Sequence, residues 1–77
     1  INNLPQAQAN LALVLHLGIG IEKDITMAYV WATLASEADT RFIAIKELVA
    51  EGLSDNDKKV GDEKAQEFAA RLIEFNG

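Results

Sequence analysis

The sequence predicts an all-α fold of about four antiparallel helices, and three observations lead to this prediction. Apolar residues recur every three to four positions along most of the chain, which is the spacing of one face of a helix. Glycines and N-capping residues separate these periodic segments. The connections between the segments are short, which favours antiparallel neighbours. No segment has the pattern of a strand.

The first two helices are predicted over residues 5–17 and about 25–38. Pro5 suits a first helical turn, and Gly18 and Gly20 end the first helix. Asp24 is a good N-cap for the second helix. The apolar positions of the second helix recur at helical spacing, and they are Ile25, Ala28, Trp31, Ala32 and Ala35.

The third and fourth helices are predicted over residues 40–51 and 54–75. The inner face of the third comprises Ala44, Ile45, Leu48 and Val49, and Gly52 ends it. Ser54 begins the fourth helix with a capping-box-like sequence. Its apolar stripe comprises Gly61, Ala65, Phe68, Ala69, Leu72 and Phe75. Gly61 costs about 1 kcal/mol against alanine in a helix interior, so we expect the first, highly charged turns to fray.

The composition limits the classes of function. The 77 residues make one small domain, and 49% hydrophobic residues are enough for a core. The chain has no cysteine and one histidine, which excludes disulfides, thiol catalysis and thiolate metal sites. The net charge is −5 and the basic residues are scattered, so we expect neither nucleic acid nor membrane as a partner. Because the chain starts with isoleucine, we expect a processed chain or a piece of a longer one. Its compartment stays open.

The stretch LHLGIGIEKD, residues 15–24, has two glycines one residue apart. A dinucleotide-binding loop would need a third glycine where Lys23 stands, and a strand before the loop. The stretch instead suits a turn between two helices, in which Ile21 is expected to return to the core. We therefore expect no nucleotide and no metal to bind here.

Residues 7–36, AQANLALVLHLGIGIEKDITMAYVWATLAS, resemble a Sel-like repeat, a relative of the tetratricopeptide repeat. The residues that match the family pattern outright are Ala7, Leu11, Gly18, Gly20, Asp24, Ala28, Trp31 and Ala35. Size-compatible replacements stand at Ala12, Leu15, Ile21 and Ser36. The resemblance divides the single domain, residues 1–77, into one full repeat over 5–39 and a degenerate second repeat over 40–77. It implies a fragment of a right-handed superhelix that ends in a long capping helix.

The resemblance also implies a function, namely that of a scaffold or adaptor that binds another protein or peptide without a cofactor and without enzymatic activity. In related α/α repeats the first helix of each pair lines the concave groove. The corresponding partner-binding positions here are Gln6, Ala9, Leu13, His16, Ile43, Lys46 and Ala50.

Other residues of chemical interest have structural interpretations. His16 has no carboxylate or nucleophile placed beside it by the sequence, so we expect a partly exposed histidine without a catalytic or metal-binding role. Trp31 is expected to be buried between the first two helices and the third, and Tyr29 to lie at the rim. The acidic runs at 55–57 and 62–63 lack the spacing of a calcium loop and suit solvated helix starts.

Residues 1–21 contain no charged side chain, and positions 11–15 are all apolar. A surface helix normally keeps a polar face, so we expect the second and third helices to cover two sides of the first. Its remaining side would meet a preceding repeat, a second copy of the chain or another partner. Two alternatives to an interaction module stay open: an acidic helical inhibitor or immunity-type protein, and a purely structural cap of a longer protein. A small enzyme is the least favoured.

Overall fold

The computed structural model describes the backbone of residues 4–76 and the side chains of residues 4–71. Its elements are α1 (Leu4–Leu17), α2 (Ile25–Ala38), a 3₁₀ turn (Thr40–Phe42), α3 (Ile43–Ala50) and α4 (Asp55–Asn76). The described part of the chain is thus all-helical and has four α-helices, as the periodicity predicts.

The turn between α1 and α2 follows the glycine-based prediction. Gly18 and Gly20 have φ angles of 70° and 75°, in the left-handed region that glycine adopts without strain. The Gly18 N–H donates to the Val14 carbonyl (2.8 Å), and the Asp24 N–H donates to the Leu15 carbonyl (3.0 Å). The Asp24 carboxylate accepts from the Met27 N–H at 3.1 Å, which confirms the predicted N-cap. The predicted anchoring of Ile21 is wrong, because this side chain is 47% exposed.

Side chains in the other two connections cap the helical turns that follow them. Asp39 has an extended backbone and accepts from the Arg41 N–H at 3.0 Å, which starts the 3₁₀ turn. Ser54 Oγ accepts from the Asp57 N–H at 3.1 Å, at the predicted start of α4. The inner face of α3 is narrower than predicted. Ile45 and Val49 pack in the core, whereas Ala44 and Leu48 are exposed. This short helix contacts the core along a stripe spaced by four residues, and the positions that immediately precede the stripe residues turn away from the core.

Helix α2 is the centre of the molecule, and α1, α3 and α4 pack around it. Its buried residues lie on every side, and they are Ala28, Tyr29, Val30, Ala32, Thr33, Leu34, Ala35 and Ser36. Ala9 and Phe42 cluster with Ala35, near the C-terminal end of α2. Leu15 and Val49 cluster with Ala28, near its N-terminal end. Helices α1 and α3 therefore run parallel to each other and antiparallel to α2.

Helix α4 runs in the same direction as α2. Its early residue Asp62 meets Tyr29, and its later residue Phe68 meets Trp31 with 5.8 Å between ring centroids. Gly61 and Ala65 of the predicted stripe are buried, and Phe68 and Ala69 are half-buried. Leu72 and Phe75 lie outside the described side chains. Among the described residues, α4 packs mainly on α2 and contacts α3 little.

The predicted positions of the two aromatic residues of α2 are both wrong. Trp31 is half-buried against α4, in a cluster with Val30, Leu34 and Ala65, rather than buried between α1, α2 and α3. Tyr29 is only 5% exposed and packs with Val49 rather than lying at the rim. Side chains two positions apart on a helix, such as Tyr29 and Trp31, point in directions about 200° apart. The docking of α4 on the Trp31 side leaves Tyr29 at the junction of α2, α3 and α4.

Candidate interaction surface

The structure does not assemble the seven predicted partner-binding residues into one surface. Ala9 is fully buried against Ala35 and Phe42, so its prediction as a contact residue is wrong. Ala50 packs against the cluster of Ala28, Tyr29 and Val49. The reason is that α1 and α3 both turn this side towards α2, which leaves less of a groove between them than the resemblance implies.

The other five predicted residues are at least partly accessible. Gln6 is exposed, Leu13 and His16 are half-buried, and Ile43 is 42% exposed. Lys46 is half-buried, and its ammonium group lies 5.8 Å from the centroid of the Tyr29 ring. This is a cation–π geometry, so Lys46 covers a core residue.

A continuous apolar surface lies elsewhere on α1. Leu4 and Leu11 are 48% and 37% exposed, Ala7 is exposed and Val14 is half-buried. Their positions follow the alternating three- and four-residue spacing of a helix seam that packs against another helix. We call these four residues the α1 seam. The buried residues of α1 are Gln8, Ala9 and Ala12, and Ala9 packs against Ala35 of α2.

The helix that carries the α1 seam has no charged residue of its own. Gln6 Nε2 donates to Asn10 Oδ1 at 3.0 Å, so the exposed polar groups beside the seam are neutral amides. Leu17, at the C-terminal end of α1, is 60% exposed, and Ile19 in the following turn is 62% exposed. The sequence-based expectation that α2 and α3 cover two sides of α1 overestimated the coverage. Helix α2 covers one side extensively, whereas α3 is short and contacts α1 only marginally.

The structure also places the histidine and the carboxylates that could take part in chemistry. His16 Nδ1 is enclosed and has no hydrogen-bond partner among the described residues. No three histidine or carboxylate side chains come together in the described part of the chain in a way that could hold a metal ion. Within the same residues, no helix is long and apolar enough to cross a membrane.

Tyr29 and Asp62 form a contact that sequence reasoning missed. Tyr29 Oη donates to an Asp62 carboxylate oxygen at 2.9 Å. Burial, and to a lesser extent this carboxylate, raise the pKa of Tyr29 above its ordinary value. A phenol with a raised pKa keeps its proton at neutral pH, so Tyr29 can donate this hydrogen bond, which links α2 to α4. The two residues lie 33 positions apart, and no local pattern signals their contact.

Comparison of the chain with models of known protein families, with curated proteins and with solved structures finds no match. The Sel-like repeat assignment therefore stays a prediction that rests on the motif residues.

Proposed function

We propose that this chain is a protein–protein interaction module of the Sel-like repeat type, and that the α1 seam is its contact surface. The observation that supports the proposal is the exposure of Leu4 and Leu11 on a helix that has no charged residue. Contiguous exposed apolar surface of this kind marks interaction sites in small soluble domains.

The directions of the helices fit the proposed repeat. In α/α repeats the first helices of successive pairs run parallel, and so do the second helices, which is the relation between α1 and α3 and between α2 and α4. The limited contact between α3 and α4 differs from a regular pair. The proposal accommodates this difference because the second repeat is degenerate and its long helix serves as a cap.

Two classes of partner fit the α1 seam, namely another helical repeat and a second copy of this chain. In the isolated 77-residue chain only the second is present, so we propose that the chain pairs with itself through α1, in a two-fold arrangement. The charge distribution supports this choice. The net charge of −5 disfavours contacts between identical charged faces, whereas the uncharged seam brings no like charges together.

Sedimentation equilibrium over a concentration series tests this proposal. The weight-average mass of the wild type should rise with concentration towards that of two chains. Leu11→Glu should remain monomeric and folded, because pairing would bury two unpaired carboxylates. Leu48→Glu is the matched control, since Leu48 is 47% exposed on α3, and it should associate like the wild type. A monomeric wild type, or equal loss of association in both variants, would contradict self-pairing through the seam.

A further inference from the structure

The spacing of the α1 seam is the same in both directions along the helix. Its four residues lie at intervals of three, four and three positions, symmetric about Ala9. A second copy of the helix that runs in the opposite direction therefore presents the same spacing. Leu4 of one copy then lies opposite Val14 of the other. Ala7 lies opposite Leu11, and a two-fold axis perpendicular to the helices relates the two copies.

The sizes of the seam side chains distinguish this antiparallel arrangement from a parallel one. In an antiparallel pair, the small Ala7 of each copy receives the larger Leu11 of the other, and both residues are accessible in the single chain. In a parallel pair each residue meets its own counterpart, so Ala7 would face Ala7 and leave a gap in the middle of the contact. Unfilled space at an apolar contact costs free energy. The sizes therefore favour antiparallel pairing.

The partial charges at the two ends of α1 favour the same arrangement. The helix has no acidic residue in its first turn, and His16 is the basic residue of its last turn. Side chains of α1 therefore do little to neutralise the partial positive charge of its N-terminal amides or the partial negative charge of its C-terminal carbonyls. Antiparallel pairing places each positive end beside the negative end of the other copy, whereas parallel pairing places like ends together.

We infer that two copies of this chain pair with their first helices antiparallel, and that Ala7 sets this orientation by receiving Leu11 of the other copy. The inference rests on the proposed function, because it concerns the same seam, and it adds the direction and the register of the contact. The partner is a second copy because the α1 seam is complementary to its own reversed copy in spacing, in side-chain size and in the charge of the helix ends.

Disulfide cross-linking tests the orientation, because the chain has no cysteine of its own. Leu4→Cys mixed with Val14→Cys should form a cross-linked mixed dimer under mild oxidation, which mass spectrometry identifies by the different masses of the two chains. Leu4→Cys alone should not cross-link. Antiparallel copies separate the two cysteines by about 15 Å along the helix, well beyond the reach of a disulfide. Leu48→Cys mixed with Leu4→Cys is the matched control, since Leu48 is similarly exposed on α3, and it should not cross-link.

The Ala7→Leu variant tests the register, because the two orientations predict opposite effects. In an antiparallel pair the new leucine collides with Leu11 of the other copy, so the dissociation constant from sedimentation equilibrium should rise at least about tenfold. In a parallel pair it would fill the gap and tighten the association. Adding Leu11→Ala to Ala7→Leu exchanges the large and small positions, so association should return towards that of the wild type. Position 7 is exposed, so Ala7→Leu should stay folded by circular dichroism.

The possible failures of this inference and of the proposed self-pairing differ. Cross-linking of Leu4→Cys with itself but not with Val14→Cys, or tighter association of Ala7→Leu, would overturn the antiparallel arrangement while pairing through α1 stands. Equal cross-linking of Leu4→Cys with Val14→Cys and with Leu48→Cys would overturn it too, because such cross-links come from random collisions. A wild type that stays monomeric in sedimentation would overturn both the inference and the proposed self-pairing.

Discussion

Position 61 holds a glycine because the ring of Tyr29 lies where a side chain would begin. A Cβ atom at this position would lie 2.6 Å from Tyr29 Cδ2. The tyrosine cannot easily move away, because it is buried and its hydroxyl is bonded to Asp62. The glycine that weakens α4 as an isolated helix is therefore the residue that lets α4 approach α2.

Gly61→Ala should lower the free energy of unfolding by about 1–3 kcal/mol, as overpacking usually does. Helix propensity alone predicts a gain of about 1 kcal/mol for the same change, so the two explanations differ in sign. Urea unfolding gives the measurement. In a Tyr29→Leu background the obstructing ring is absent, and the substitution should become neutral or stabilising. A stabilising Gly61→Ala in the wild-type background would show that α4 does not approach α2 this closely.

A second prediction for a single residue concerns the titration of Tyr29. Because Tyr29 is the single tyrosine of the chain, phenolate absorbance reports on it alone. Its pKa is raised in the folded state, chiefly by burial and then by Asp62. The stabilisation linked to its proton is therefore complete below the unfolded pKa, near 10, and is lost as the pH rises through the higher folded value. Phenolate absorbance should show a higher titration midpoint in the folded protein than in urea. A folded midpoint at or below the unfolded one would contradict the burial of Tyr29.

The Tyr29→Phe variant provides the control for this pH dependence. It keeps the buried ring and removes the ionising hydroxyl. Its urea midpoint should fall less steeply above pH 10 than that of the wild type, because the lysines titrate in both proteins and only Tyr29 differs.

At the scale of the helices, local signals in the sequence predict where each helix begins and ends. They predict less well which helices pack against each other. The caps at Asp24 and Ser54 and the left-handed glycines act within a few residues, so the sequence shows them directly. Which side of α2 receives α4 depends on the Tyr29–Gly61 and Trp31–Phe68 contacts, and both join residues more than 30 positions apart. The burial of Ala9 likewise depends on a cluster with Ala35 and Phe42, which lie far from it in the chain. Of the predicted contact residues on α1, the structure therefore buries Ala9, whereas Gln6 is exposed and Leu13 and His16 are half-buried.

Trp31→Ala tests this arrangement of α2. A fully buried tryptophan would cost roughly 3–5 kcal/mol on truncation. Because Trp31 is half-buried against Phe68, we expect about half of that loss. Phe68→Ala should reduce the effect of Trp31→Ala in a double-mutant cycle, since the two rings are in contact. Thermal or urea unfolding provides the values. If the two substitutions change the free energy of unfolding by strictly additive amounts, Trp31 packs against residues other than Phe68.

In the molecule as a whole, the charged residues are separated along the chain from the exposed apolar residues of the α1 seam. Every charged residue lies after residue 21, whereas the exposed leucines of the α1 seam precede that point. Self-association through the seam should therefore weaken modestly at low salt, where two chains of net charge −5 repel each other over a longer distance. Sedimentation at two ionic strengths measures this dependence. Association that is stronger at low salt would indicate a contact between charged faces instead.

We propose that the chain meets its partner through the α1 seam, and this proposal can be tested without any substitution. The most direct test is to dilute the ¹⁵N-labelled wild type from about 1 mM to about 20 µM, a range that spans weak protein association, and to follow the amide shifts. The amide shifts of Ala7, Asn10, Leu11 and Val14 should depend on concentration, whereas the amides of α4 should stay unchanged. Constant shifts throughout, or shifts confined to α4, would contradict this proposal.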